Sequence, residues 1–114
     1  MIDGENLALL INNTGYLYEP YIVPTQIGLS KHMVRGNYSA PLAKKAWLNV
    51  VEKAIKNPKF SREIEREFGT KVISISVKRQ AAEDVMEHQT EEVIGKFKKM
   101  LRLKEAGKPW ASMR

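Results

Sequence analysis

A chain of 114 residues with 43% hydrophobic and 28% charged content has the size and make-up of one globular domain, 1–114, with 107–114 as a short C-terminal tail. It has no cysteine, which excludes a disulfide scaffold, a zinc ribbon and a thiol nucleophile, and no apolar run approaches the ~20 residues of a membrane span. The net charge is +6, and the acidic start Met1-Ile2-Asp3-Gly4-Glu5 lacks the basic opening of a signal peptide, so a cytoplasmic protein with no membrane partner is expected.

Asp3 is placed to cap a first helix from Gly4 to Asn13, with Leu7, Leu10 and Ile11 on one face and Gly15 as a left-handed stop. Residues 16–38 change character. Tyr16, Tyr18 and Tyr21 lie among Pro20 and Pro24, and beyond them Ile27, Leu29 and Met33 alternate with Gly28, Ser30 and His32. Period 2 predicts a strand, Pro24-Thr25 a hairpin turn, and the prolines an edge position for Tyr18–Val23. Arg35-Gly36-Asn37 reads as a loop.

Ser39 or Asn37 then caps an amphipathic helix over about 41–56, whose apolar stripe runs from Leu42 through Trp47 to Ile55. Asn57-Pro58 ends it. Ser61 is expected to cap a shorter helix with Phe60, Ile64 and Phe68 as its packing ridge and Gly69 as its stop. Val72 to Val77 alternates Ile73, Ile75 and Val77 with Ser74 and Ser76, the best strand pattern in the chain. A long helix over about 79–106 follows and is terminated by Gly107 and Pro109. The fold class expected is α+β, predominantly helical, with a small antiparallel sheet from about 17–34 and 71–77 packed by helices.

The long helix carries its charge in two blocks. Residues 79–95 hold one basic and five acidic side chains, −4; residues 96–114 hold seven basic and one acidic, +6. A helix of ~27 residues is ~40 Å long, about the diameter of a domain of this size, so its end projects or meets a partner, most cheaply a second copy as a homodimer. Met86, Val93, Phe97 and Met100 fit a 3–4 seam with Thr90 between them, but Ile94 and Leu101 widen the stripe past a strict coiled-coil seam, which favours ordinary core packing. Gly95, costly inside a helix, marks a kink or a close crossing.

The leading function this suggests is a small non-enzymatic binding or regulatory protein that meets nucleic acid through Lys96, Lys98, Lys99, Arg102, Lys104 and Lys108. The plainer account of the same charges is macrodipole compensation, helped by an i,i+4 pair of Glu92 with Lys96. The alternative function is a protein-interaction adaptor or oligomerising protein using Met86, Val93, Phe97, Met100 and Trp110. Three further patterns are weaker. Helices 41–56 and 61–68 have helix-turn-helix lengths, but Arg62, Glu63, Glu65, Arg66 and Glu67 would set three carboxylates against phosphate. The tyrosines Tyr16, Tyr18, Tyr21 and Tyr38, with Lys31, His32 and Arg35, would stack single-stranded bases if they shared a sheet face. Asp84, His88 and Glu91 or Glu92 share a helix face but lack a Glu-x-x-His spacing, so no metal is expected, nor any cofactor. No catalytic residue stands out; a small enzyme is the third reading, and it requires a deep pocket collecting His32, Arg35 and a tyrosine hydroxyl.

Overall fold

The computed structural model describes residues 2–112. Within them the chain forms five α-helices: α1 Gly4–Asn13, α2 Val23–Arg35, α3 Ala40–Lys56, α4 Pro58–Phe68 and α5 Ile75–Glu105. A 3-10 turn, Gly15–Leu17, and a π turn, Tyr18–Ile22, join α1 to α2. No strand occurs among the described residues, so the expected α+β class and its sheet from 17–34 and 71–77 are replaced by an all-helical fold.

The reason differs at the two places. In 17–34 the helical stripe is real but partly polar. Gln26, Leu29, Ser30 and Val34 are the buried positions of α2, spaced three and four apart, and two of the four read as surface residues in a linear scan. The prolines are absorbed by the helix start. Pro24 sits in the first turn of α2, and Pro20 lies in the π turn, where the Val23 N–H reaches back to the Tyr18 carbonyl. A proline ring crowds the carbonyl four residues back in a regular α-helix, and the wider turn relieves that crowding.

In 71–77 the β-branched residues have no strand to pair with. Val72 is 84% exposed and Ile75 64%. Ser74, expected on the polar face of a strand, instead caps α5, accepting from the Val77 N–H at 3.2 Å. A cap satisfies a backbone donor locally, whereas β propensity has value only against a neighbouring strand.

Other boundaries follow their caps. Asp3 accepts from the Asn6 N–H at 2.8 Å, and Ser39 from the Leu42 N–H at 3.3 Å. Thr14, extended, ends α1, and Gly15 opens the 3-10 turn with no left-handed backbone. Asn57 replaces Ser61 as the cap of α4, accepting from the Lys59 and Phe60 N–H groups at 3.0 and 3.2 Å. Only Asn57 therefore separates α3 from α4. That is shorter than the three- or four-residue turn of a helix-turn-helix. Gly36 and Gly107, at φ +76° and +69°, close α2 and α5. In each the next residue's N–H reaches back five positions, Asn37 to His32 and Lys108 to Leu103, the Schellman arrangement that left-handed glycine makes possible.

The long helix is the centre of the molecule. α1, α2 and α3 all pack against α5, and α4 packs on α3. Trp47, Phe60, Leu7, Ile11, Leu17 and Val85 are among the largest fully buried side chains. Polar contacts set the register. Gly4 N–H donates to Gln80 Oε1 at 3.3 Å and Gln89 Nε2 to Asn12 Oδ1 at 3.1 Å, so α1 runs parallel to α5. Gln26 Nε2 donates to Gln89 Oε1 at 2.6 Å, and the Ser30 hydroxyl lies 2.9 Å from the Val93 carbonyl, so α2 is parallel as well. Lys44 pairs with Glu83 at 3.7 Å while Leu48 lies beside Arg79 and Ala82, so α3 is antiparallel. The approach of α1 to α5 is close: a Cβ on Gly4 would fall 2.5 Å from the Gln80 Cβ.

Candidate nucleic-acid interface

The basic end of α5 lies beyond most of this packing. The helix is unbroken from Ile75 to Glu105, and at 31 residues it is ~46 Å long. The molecule measures 52 × 25 × 18 Å. The helix thus accounts for most of the long axis.

Lys98, Lys99, Arg102, Lys104 and Lys108 are exposed, and Lys96 is half-buried. None of the six takes part in the two ion pairs found among the described residues, Lys44–Glu83 and Lys71–Glu65. The expected Glu92–Lys96 pair is likewise not one of them.

A seventh cation joins from another element. Arg35, at the end of α2, stands over the Trp110 ring with its guanidinium carbon 5.6 Å from the centroid, and Lys104 Nζ stands 5.9 Å from it. Both are within cation–π range. Trp110 therefore folds back onto its own chain, half-buried between the ends of two parallel helices. Sequence spacing gave no signal for Arg35 here, since it lies far from α5 along the chain.

The helix boundaries remove the acidic block, and all but two of the six cations, from the macrodipole account. α5 starts at Ile75, and its first turn contains no acidic residue. The acidic block begins at Glu83, two turns in, and dipole compensation is confined to the terminal turn. At the other end only Arg102 and Lys104 lie in the last turn.

The apolar stripe packs within the chain rather than forming an open coiled-coil seam. Val93 is 4% exposed and Met100 fully buried, both within the chain's own packing, while Met86 and Phe97 are half-buried. Thr90, expected in the seam, is exposed and bonds the Met86 carbonyl.

No sheet face gathers the tyrosines, since no strand occurs among the described residues. Tyr16 lies under Lys59, whose Nζ is 4.4 Å from the ring centroid. Burial, with the Glu63 carboxylate adding to it, pushes the Tyr16 phenol above its ordinary pKa, although Glu63 is not at hydrogen-bond geometry. The Tyr21 hydroxyl accepts from Asn57 Nδ2 at 3.3 Å, and Tyr18 is exposed in the π turn and Tyr38 in the loop between α2 and α3. His32 faces a groove of about 180 Å³ between α2 and α3, lined also by Thr25, Asn49 and Lys53. Its Nδ1 lies 2.8 Å from Asn37 Oδ1. The groove collects neither Arg35 nor a tyrosine. Among the described residues no three His, Cys, Asp or Glu side chains converge as a metal site, so Asp84, His88, Glu91 and Glu92 do not form one. No helix there is long and apolar enough to cross a membrane.

No family model, curated protein or solved structure matches this chain.

Proposed function

We propose that the protein binds nucleic acid through the basic end of α5. The observation that carries this reading is the set of six cations, Lys96 to Lys108, none of them in an ion pair with a carboxylate among the described residues. Arg35 adds to the same end from α2, and no acidic residue but Glu105 lies among them in sequence. Lysines and arginines on an exposed helix contact phosphates and release counterions, which gives affinity without requiring base readout. Lys98, Lys99 and Arg102 lie on the side of α5 away from Val93 and Met100, free to meet a backbone.

The adaptor reading is less favoured, because Val93 and Met100 are inside the chain and Trp110 is held between Arg35 and Lys104.

Fluorescence anisotropy with labelled duplex and single-stranded DNA and RNA tests the proposal. Binding is expected at low salt, with log K falling linearly against log salt. The triple variant Lys98→Gln, Lys99→Gln, Arg102→Gln is expected to retain its helical circular dichroism and to lose about 2–3 units of that slope on duplex DNA. Absence of any complex at ~20 mM salt, where such contacts are strongest, would sink the reading.

A further inference from the structure

We infer that two copies of this chain associate through the outward face of α5, antiparallel and crossing beside Gly95. α1, α2 and α3 cover one side of α5. On the other side Glu87, Glu91, Ile94, Gly95, Lys98 and Arg102 are exposed, at steps of three and four that place them along one face. The face is acidic before Gly95 and basic after it.

Three features of this face have no explanation within one chain. The first is the charge segregation. Its acidic half lies too far inside α5 to serve the dipole, because the first turn holds no acid. The second is the placement of like charges. Glu87 with Glu91, and Lys98 with Arg102, are i,i+4 neighbours of the same sign, an arrangement that opposes helix formation. None of the four belongs to the ion pairs found among the described residues. The third is Gly95. A Cβ there would meet nothing within 4 Å, so its own fold does not require glycine. Glycine inside a helix is unfavourable against alanine, yet α5 runs through it unbroken.

A second copy resolves all three at once. In an antiparallel pair, the register that sets Ile94 against the partner's Gly95 also sets Glu91 against the partner's Lys98 and Glu87 against the partner's Arg102. The two-fold repeats each contact, giving four ionic contacts between opposite charges and relieving both like-charge pairs. Ile94, 37% exposed, finds the space that the missing side chain at position 95 leaves. The interface is one helix face about 22 Å long, which suits a weak or transient dimer. It lies on the opposite side of α5 from the buried Val93 and Met100. The inference does not rest on the nucleic-acid reading, although Lys98 and Arg102 serve both.

Sedimentation equilibrium across ~10–500 µM at low salt, the range for a weak pair, is the test. Wild type is expected to reach twice the monomer mass. Variant A, Glu87→Lys with Glu91→Lys, and variant B, Lys98→Glu with Arg102→Glu, are each expected to stay monomeric. Their equimolar mixture is expected to form a one-to-one dimer, because one face is then wholly basic and the other wholly acidic. A wild type that remains monomeric throughout overturns the inference, and so does a wild-type dimer whose A and B mixture stays apart.

Should either charge variant fail to fold, a cysteine answers in a chain that has none of its own. Gly95→Cys is expected to cross-link under mild oxidation much faster than Glu105→Cys, which lies far from the two-fold. Equal rates overturn the proposed register. Variant A also separates the two proposals: it is expected to lose the dimer while still binding oligonucleotide.

Discussion

Gln26, Gln89 and Asn12 form a directional chain of side-chain amides across three helices, each nitrogen donating to the next oxygen. Gln26 is fully buried and Gln89 nearly so, and the Gln26 Oε1 at the head of the chain has no partner. The two glutamines are therefore not equivalent. Replacing Gln89 with leucine strands the Gln26 amide nitrogen and the Asn12 oxygen. Replacing Gln26 removes an oxygen that was already stranded, leaving only Gln89 Oε1 unmatched. A buried polar group without its partner costs about 1–3 kcal/mol. Chemical denaturation is expected to place Gln89→Leu about 2–3 kcal/mol below wild type. Gln26→Leu should be clearly less damaging, and the double variant no worse than Gln89→Leu alone. Strictly additive losses would show that the two side chains do not interact. A network of this kind also fixes register, since sliding α2 by one residue along α5 breaks the Gln26–Gln89 and Ser30–Val93 contacts together.

α5 illustrates how an element's boundaries decide the meaning of its charges. Begun near residue 79, the helix would carry its acids close to its start and its lysines close to its end, as a dipole favours. Begun at Ile75 behind the Ser74 cap, it opens instead with Lys78 and Arg79, and its acids fall in mid-helix. The N-terminal dipole is thus uncompensated. Introducing a carboxylate at exposed Ser76 is expected to stabilise the protein by about 0.3–1 kcal/mol, read as a rise in thermal midpoint of a few degrees. The same account expects Glu92→Gln to change the midpoint within error, because a surface charge more than three turns from either end of α5 acts on nothing of the dipole. A marked loss of stability at Glu92→Gln would return the acidic block to a dipole role.

At the scale of the molecule the radius of gyration is 15.3 Å, above the ~13 Å of a compact chain of this length. The long α5 sets the extent of the molecule, and beside its C-terminal half lie the end of α2 and the tail carrying Trp110. This places the cations where a large anionic partner has unobstructed access, and places Glu87 and Glu91 on the same open side. If nucleic acid and the second copy both use Lys98 and Arg102, they compete. Titrating a short duplex into concentrated protein is then expected to reduce the dimer fraction in sedimentation velocity. A dimer fraction that is unchanged at saturating duplex would mean that the two contacts use different residues.

Much of the element pattern was legible in the residues themselves. Asp3 and Ser39 are caps whose side chains bond the nearest backbone donors, so α1 and α3 begin where short-range chemistry says they should. The apolar stripe around Trp47 and the long C-terminal helix are equally local. The expected strands failed for a tertiary reason. Gln26 and Ser30 look like surface residues until Gln89 and Val93 stand opposite them, and Val72–Val77 looks like a strand only if another strand is there to receive it. The cations at residues 96–108 were readable as a block because charge is a property of the sequence. Their lack of carboxylate partners among the described residues, the arrival of Arg35 beside them and the burial of Val93 and Met100 were not, because each depends on which segment lies next to α5. Sequence alone determined what each segment can satisfy within a few residues of itself. Packing decided which faces were left over, since burial and pairing are relations between segments far apart in the chain.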